Sequence, residues 1–376
     1  MNSDKLAALP AVSFAPLDVA DVEREVIANF EQITGGTLYP ATPERLLCES
    51  LAYREAIVNG NIDLAARQNL LAFATAGHLD HLGALMGVFR LEPSASKTIV
   101  RFSLSEPLQF KVEVSSGCRI ATANNDFTFS TDGDATIEPG EMYAEVSATC
   151  TSTGAATNGL LPGQIASLVD RLPYIIKASN VTMSLGGSDT EDDEHLRERI
   201  RMAPEAYSNA GSRGAYHFWA LTAHADIAEV SVTSPEPGVV DVRPVLKDGE
   251  LPSEVHLEAV SHTLNKETVR PLTDKVVVSM PVVVEYSVEG TFYLPRSGAT
   301  LGTASKANVF KALEQYRVWQ RSKPGRDINP TKLISLIERA GAKRLELKQP
   351  AFKKLEAIEL AREVSMSLSF GGYEDD

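Results

Sequence analysis

Apolar residues recur along this chain with two different periods, and the change of period divides it. From Asp18 to Ile33 the positions Val22, Val26, Ile27, Phe30 and Ile33 keep helical spacing, and Gly35-Gly36 stops the run. Thr42-Pro43-Glu44 reads as a helix start, with Thr42 as N-cap and proline at the first helical position. That helix carries Leu46, Leu47, Leu51 and Ala52 towards Val58. Asn61 to Ala76 reads as another helix, rich in Ala and Leu, and a short one follows from His78 to Met86. At Glu92-Pro93 the composition shifts. Between Lys97 and Thr153 the period becomes two: Ile99, Arg101 and Ser103 alternate with Val100, Phe102 and Leu104, and Phe110, Val112 and Val114 alternate with polar neighbours. Met142, Ala144, Val146 and Ala148 repeat the pattern. Gly117, Asn124-Asn125, Asp132-Gly133 and Pro139-Gly140 are turn signals. The prediction is a small antiparallel β domain, with a loop at Gly154–Gly163 and extended segments from Ile165 to Leu185.

The stretch after Gly186 reverts to helical signals. Ser188 with Glu191, or Thr190 with Asp193, can form a capping box, so a helix is predicted from Ser188 to Arg201. Acids crowd its first turn, and Arg197, Arg199 and Arg201 follow, an order that suits the helix dipole. Pro204 ends it. A glycine-rich turn over Ser208–Ser212 precedes a second helix opened by Gly214 and carrying Tyr216, Trp219 and Ala223. Further on, Ala228–Thr233 and Val239–Leu246 read as a strand pair, and Ser253 to Lys266 as a helix capped by Ser253. The β-type run from Lys275 to Leu294 is too long for one strand, so it either crosses between two small sheets or bends near Pro281. Helices over 304–320 and after Asn329-Pro330 precede two last strands at 344–347 and 364–370, and the tail Glu374-Asp375-Asp376 is expected to fray. This order suggests two small α+β units in series.

The predicted class is therefore a multidomain α+β chain: an N-terminal helical segment, a small antiparallel β domain, a helical junction and two serial α+β units. Five segments are expected, namely 1–90 (arm and helices), 91–185 (β-rich), 186–225 (helical junction), 226–294 (first α+β unit) and 295–376 (second).

Charge and chemistry narrow the function. With 36 basic against 50 acidic residues the net charge is −14, which disfavours a general nucleic-acid binder and docking on anionic lipid. No run of about 18 apolar residues exists to span a membrane. The N-terminus has no apolar core after a basic start, so no signal peptide is expected. Cys48, Cys118 and Cys150 are odd in number and far apart, without a CxxC pair, and are expected as reduced thiols. Nucleophile-elbow, phosphate-loop and His-Glu-x-x-His motifs are missing. The acidic run Glu191–Glu194 lacks EF-hand spacing, and consecutive helical acids point apart, so a capped, solvated helix face is the simpler reading. His78, Asp80 and His81 cannot all face one point on a helix. Asp132-Gly133-Asp134 lacks the downstream glutamate of a calcium loop and reads as a hairpin turn. His217 and His224, which flank Trp219, read as core or interface histidines.

The pattern Gly186-Gly187-x-Asp189-x-Glu191-x-Asp193-Glu194-x-Leu196-Arg197-x-Arg199-Ile200, followed by Ala210-Gly211-Ser212-x-Gly214-Ala215-Tyr216, resembles the signature of the baseplate J-like family. These are structural proteins of contractile phage tails and related injection machines. The strand Ile227–Pro235 and the run Val269-Arg270-Pro271-Leu272-Thr273-Asp274-Lys275-Val276-Val277-Val278 look like the segments that follow in that family. So do Gly77-His78-Leu79-Asp80-His81-Leu82-Gly83 and the turn at Val114–Ile120; at the bend before Gly159 a Gly-Asn pair is common, whereas here Asn158 follows Thr157. Gly325-Arg326-Asp327-Ile328 resembles a structural element of the family.

The resemblance implies a baseplate wedge protein of a contractile phage tail or tailocin, linking wedges into a ring around the tail hub and relaying the trigger for sheath contraction. It implies no enzyme, no catalytic, cofactor-binding or metal residues and no cofactor. Its expected partners are other wedge proteins, reached partly through a bundle with the N-terminal helices, and further copies of itself. Sheath-initiating and tail-fibre-attaching proteins are further candidates; nucleic acid and membrane insertion are not expected. The expected location is the virion tail baseplate, after assembly in the bacterial host cytoplasm. The alternatives are a tail-associated glycan hydrolase, since the many carboxylates leave room for an acidic pair, or a receptor-binding tail fibre component, which would bring internal repeats that this chain does not show.

Overall fold

The computed structural model describes residues 9–10, 12–207, 211–296 and 302–375. The chain forms two compact units, Met1–Arg90 with Asp193–Ala203, and Leu91–Asp192 with Pro204–Asp376. Residues 208–210 of the glycine-rich turn lie outside the described residues, as do 1–8 and 11 of the expected N-terminal arm.

The first unit is helical. Helix α1 spans Val19–Thr34; the Asp18 side chain accepts the Ala20 N–H at its start, and Gly35 closes it in the left-handed region at φ 68°. Helix α2 spans Pro43–Arg67, with the Thr42 hydroxyl accepting the Arg45 N–H. Helices α3 (Ala76–Leu85) and α4 (Asp193–Met202) pack on each other, as α1 and α2 do. The two helices expected over 43–76 are one helix to Arg67. An exposed glycine inside a helix costs about 1 kcal/mol, and at Gly60 that cost is outweighed by the hydrogen-bonded turns on either side, so no break forms. Gly83 is required by close approach: a Cβ there would lie 2.6 Å from the Val88 carbonyl and 3.1 Å from Ile200 Cδ1.

The second unit begins with a six-stranded antiparallel sheet in the order β7-β3-β4-β6-β1-β8. Its strands are β1 (Ala95–Leu104), β3 (Arg119–Thr122), β4 (Thr128–Thr131), β6 (Tyr143–Thr153), β7 (Ile165–Leu168) and β8 (Ile175–Asn180). A small pair, β2 (Val112–Val114) and β5 (Ala135–Ile137), accompanies it. The end strands β7 and β8 come back alongside each other, so the sheet is nearly closed. The alternation read in the sequence is the inside of this sheet: Val100, Phe102 and Leu104 of β1 are buried with Ile120, Phe129, Ala148 and Ile165. Each fully buried large side chain contributes roughly 1.5–3 kcal/mol.

Two three-stranded sheets follow, β11-β10-β9 and β13-β12-β14. Strands β9 (Ile227–Thr233) and β10 (Val239–Leu246) pair antiparallel, and β11 (Lys275–Val278) joins β10 in parallel. Helices α5 (Arg213–Leu221) and α6 (Glu254–Leu264) pack against this sheet. The second sheet centres on β12 (Val282–Pro295), antiparallel to β13 (Arg344–Gln349) and parallel to β14 (Glu359–Glu374). Its core holds Phe292 and Leu294 against Val309 and Tyr316 of α7 (Gly302–Arg321) and Leu333 and Ile337 of α8 (Pro330–Arg339). The long β-type run therefore crosses between sheets at 279–281. Strand β12, which the sequence reading groups with segment 226–294, is hydrogen-bonded instead to the C-terminal strands. The tail also differs from expectation. Strand β14 runs to Glu374, whose carboxylate meets Arg344 Nη2 at 2.5 Å, because the long parallel ladder with β12 holds it. Asp376 lies outside the described residues.

Asn180, 2 % exposed, ties the end of β8 to the loop before β7. Its Oδ1 accepts the N–H groups of Gly163 and Ile165, both at 2.9 Å, and its Nδ2 donates to the carbonyls of Leu161 and Thr182 at 3.0 and 2.8 Å. Asn180→Ala leaves these groups unsatisfied and is expected to lower stability by ~2–4 kcal/mol. Denaturant melts check this; a change below about 0.5 kcal/mol would contradict the role given to the amide.

Candidate functional site at the acidic junction

The run Glu191-Asp192-Asp193-Glu194 sends its carboxylates to different partners. Glu191, 2 % exposed, accepts the Leu91 N–H at 2.8 Å, while its own N–H donates to the Leu91 carbonyl at 3.1 Å. Asp192 meets Lys247 Nζ at 2.6 Å. In the helical unit, Asp193 accepts the Ala76 N–H at 2.9 Å and pairs with Arg90 Nη2 at 2.7 Å. Glu194 pairs with Arg197. Arg90 also holds Asp80 at 2.8 Å, which gives Asp80 a structural partner in place of a metal. The Ala76 N–H, and after it the Arg90 guanidinium, hold the Asp193 carboxyl below its ordinary range. The arginines of the signature reach backbone: Arg197 Nε donates to the Leu71 carbonyl at 2.8 Å and Nη2 to Ala74 at 2.6 Å, and Arg199 Nη1 donates to Phe89 at 3.1 Å.

The helix predicted from Ser188 starts only at Asp193. Ser188 is taken by a tertiary partner. Its backbone exchanges hydrogen bonds with Ser94 at 3.0 and 3.2 Å, and the two hydroxyls lie 2.9 Å apart. Leu185 and Lys97 exchange a second pair at 2.8 and 3.0 Å. Two ladder bonds and a buried hydroxyl contact outweigh the single N-cap bond Ser188 could offer. Asn158 completes the bend. Its Nδ2 donates to the Gly187 carbonyl at 2.6 Å and its Oδ1 accepts the Gly187 N–H at 2.8 Å. Gly187 must be glycine for this approach, since a Cβ would lie 2.6 Å from the Gly154 carbonyl.

Helix α5 is capped by Ser212, whose hydroxyl accepts the Ala215 N–H. It brings Tyr216 to the run after Val269: the Tyr216 hydroxyl donates to Asp274 Oδ2 at 2.7 Å, and burial with this carboxylate pushes the phenol pKa up. Two motifs read separately in the sequence thus meet. Arg326 stacks on Trp319 at 4.4 Å and donates to the Trp319 carbonyl, while Asp327 accepts the Leu355 N–H at 2.8 Å; both are structural. Asp134 accepts the Ser116 N–H at 2.7 Å and Asp132 the Ser147 hydroxyl at 2.7 Å; the turn is not the expected hairpin, because β4 pairs with β3 and β6 while β5 crosses to pair with β2. His217 pairs with Glu229 at 2.6 Å.

One grouping had little sequence signal. His224, after α5, Asp226, before β9, and His256, in the first turn of α6, place ligand-capable atoms within 4.8 Å of one another. His224 is 8 % and His256 4 % exposed, and their rings meet edge to face with centroids 4.6 Å apart. Burial, and then His224, push the His256 pKa down to about 4, so the His256 ring is neutral near neutral pH. The signal that could have found it is weak: a His-x-Asp pair at 224–226, with its third member thirty positions away on another helix.

Family models match along the chain: the Baseplate J-like N-terminal domain over residues 43–95, the Baseplate J-like protein barrel domain over 99–187 and the Baseplate J-like central domain over 208–280. The chain is 35% identical over 164 residues to Baseplate protein J of Escherichia phage P2, an alignment covering 43% of this chain and 52% of the relative. It thus spans about half the length of that curated relative. Among solved structures, the cryo-EM structure of the anti-feeding prophage baseplate is similar at a TM-score of 0.44 and 11% identity, covering 92% of this chain and 89% of that chain.

Two outcomes are expected of the junction. Arg197→Leu orphans the carbonyls of Leu71 and Ala74 and should cost ~2–4 kcal/mol, whereas Glu194→Gln, at an 86% exposed side chain, should change stability by less than about 1 kcal/mol. Equal losses in urea melts would show the ion pair, not the backbone contacts, to be the important part. The second concerns pH. Because the folded-state pKa of Asp193 is depressed, its contribution is present above the unfolded value near ~3.9 and is lost as pH falls through the folded one. The stability gap between the native chain and Asp193→Asn should stay level above about pH 5 and shrink below about pH 4. A gap that does not vary between those limits contradicts the assignment.

Proposed function

We propose that this chain, which belongs to the baseplate J-like family, is a structural subunit of a contractile-tail baseplate, joining neighbouring wedges into a ring and relaying the trigger for sheath contraction. The observation that carries the reading is the surface of α2. Of its 25 residues only Cys48, Ala52 and Asp63 are buried. Leu47, Leu51, Tyr53, Val58, Ile62 and Leu64 are each about half exposed or more, at 61%, 55%, 62%, 52%, 49% and 59%. A helix of this length with apolar residues on faces its own unit leaves open is built to be covered by another chain. In this reading residues 18–76 dock with partner wedge proteins as part of a helical bundle.

The C-terminal sheet supplies the lateral contact. Strand β14 lies at a sheet edge and runs for 16 residues, with Val364 64% exposed. Long edge strands are templates for pairing with a neighbour, and a heterologous contact of that kind closes a ring when its rotation allows. In this reading residues 226–370 make the side-to-side contacts. The role is structural and not catalytic: the junction acids are engaged with backbone N–H groups and cations. Partners are other baseplate proteins and further copies of this chain, met in the host cytoplasm during tail assembly.

The test uses full-length chains mixed with the neighbouring tail proteins and followed by sedimentation and electron microscopy. Leu51→Glu with Val58→Glu should leave the melt within about 1 kcal/mol of the native chain, since both sites are exposed, yet abolish wedge formation. Val364→Lys should leave wedges intact and prevent ring closure. Wedges that form normally with the α2 pair would refute the docking role, and rings that close with Val364→Lys would refute the edge-strand role.

A further inference from the structure

We infer that His224, Asp226 and His256 form a binding site for one borderline divalent transition-metal ion, zinc being the natural occupant. The donor set is two imidazoles and a carboxylate, the combination that zinc, cobalt and nickel favour over calcium or magnesium. Two donors come from the turn between α5 and β9 and the third from the first turn of α6, and their ligand atoms already lie within 4.8 Å of one another. A tetrahedral zinc site brings such atoms to about 3.3 Å, given bonds near ~2.0–2.1 Å, so side-chain adjustment of roughly 1 Å suffices.

The second observation is an orphan. His256 is 4 % exposed, and its buried Nε2 has no hydrogen-bond partner among the described residues. Its other nitrogen, Nδ1, lies 2.7 Å from Ser253 Oγ. Nδ1 also accepts the Ser253 N–H at 3.3 Å, the capping-box bond, so in the metal-free chain the ring proton sits on Nε2. Metal binding at Nε2 selects the other tautomer, in which Nδ1–H donates to the Ser253 hydroxyl and orients the ring as outer hydrogen bonds orient ligating histidines. His224 is oriented from its far side in the same way. Its Nε2 lies 3.3 Å from the Gly186 carbonyl and 3.1 Å from Ser94 Oγ, so Nε2–H donates there. The lone pair then rests on Nδ1, which accepts the Asp226 N–H at 3.2 Å and gives up that bond to ligate. A carboxylate two residues along completes three ligands, and water supplies a fourth. Occupied, the site fastens the start of β9 to α6, and through His224 to the Ser94–Gly186 bend.

The experiment takes the full-length chain, stripped with a chelator and reloaded with Zn²⁺ or Co²⁺. Expected are one zinc per chain by elemental analysis, a visible Co²⁺ spectrum of tetrahedral intensity, and a melting temperature raised by roughly 5 °C at a hundredfold excess over the dissociation constant. Mg²⁺ should produce no shift. His256→Gln should lose the cobalt spectrum and the zinc-dependent shift, while His78→Gln with His81→Gln, at the other close pair of histidines, keeps both. If His256→Gln does not fold, Asp226→Asn and the native spectrum decide. The inference is overturned by a native chain that takes up no zinc, by a zinc shift retained in a folded His256→Gln protein, or by a cobalt spectrum that disappears with the His78 and His81 pair.

Discussion

The structure of the second unit depends on one antiparallel tie, the pairing of residues 91–97 with 185–191. Leu91 meets Glu191, Ser94 meets Ser188 and Lys97 meets Leu185. The nearly closed sheet lies in sequence between the two halves of this tie, so its first and last strands enter and leave side by side. Everything around it serves the same approach. Gly187 has no Cβ where the Gly154 carbonyl passes, Asn158 pairs with the Gly187 amide, and Ser94 reaches the Gly186 carbonyl at 2.8 Å. A glycine pair just before a helix-start signature looks like punctuation; its job here is to let backbones come within contact distance.

Much of this was legible in the chain. Helix starts marked by an N-cap residue before an apolar run were read at Thr42 and Ser253, because a cap is a local bond that needs no knowledge of the rest of the fold; the caps at Asp18, Ser212 and Asn329 came with the structure. The alternation in β1 and β6 was legible for the same reason: one face is buried, and period two records it. The sheet assignment of the run over 275–294 was not. Both halves are β-type, and only partners distant in sequence, β10 for one and β14 for the other, decide where it divides.

The misreadings share a cause. Ser188 satisfies every local rule for an N-cap, and the capping box with Glu191 is well formed on paper. Tertiary partners removed both residues from that use, Ser94 the first and the Leu91 amide the second. The acidic run was read as a solvated helix face, which is right for Glu194, whose side chain is 86% exposed, and wrong for Glu191, at 2 %. Composition cannot separate these, since burial of a carboxylate depends on whether a backbone N–H awaits it. The His224, Asp226 and His256 grouping was invisible for a related reason: its members become neighbours only after α6 has packed beside α5 and the start of β9.

The distribution of apolar and charged surface bears on how such a chain is kept apart and then assembled. A net charge of −14 gives separate copies a mutual repulsion that acts over roughly 8–10 Å at moderate salt. The exposed leucines of α2 attract only on contact. Two free copies, each carrying this net charge, are therefore held off before apolar contact is made. A partner that brings basic residues beside its own apolar stripe would meet no such barrier. Selectivity of this kind requires no specific bond between charges. It follows from the different ranges of the two forces, and it leaves the apolar residues to supply the lasting stability once the right neighbour is in place.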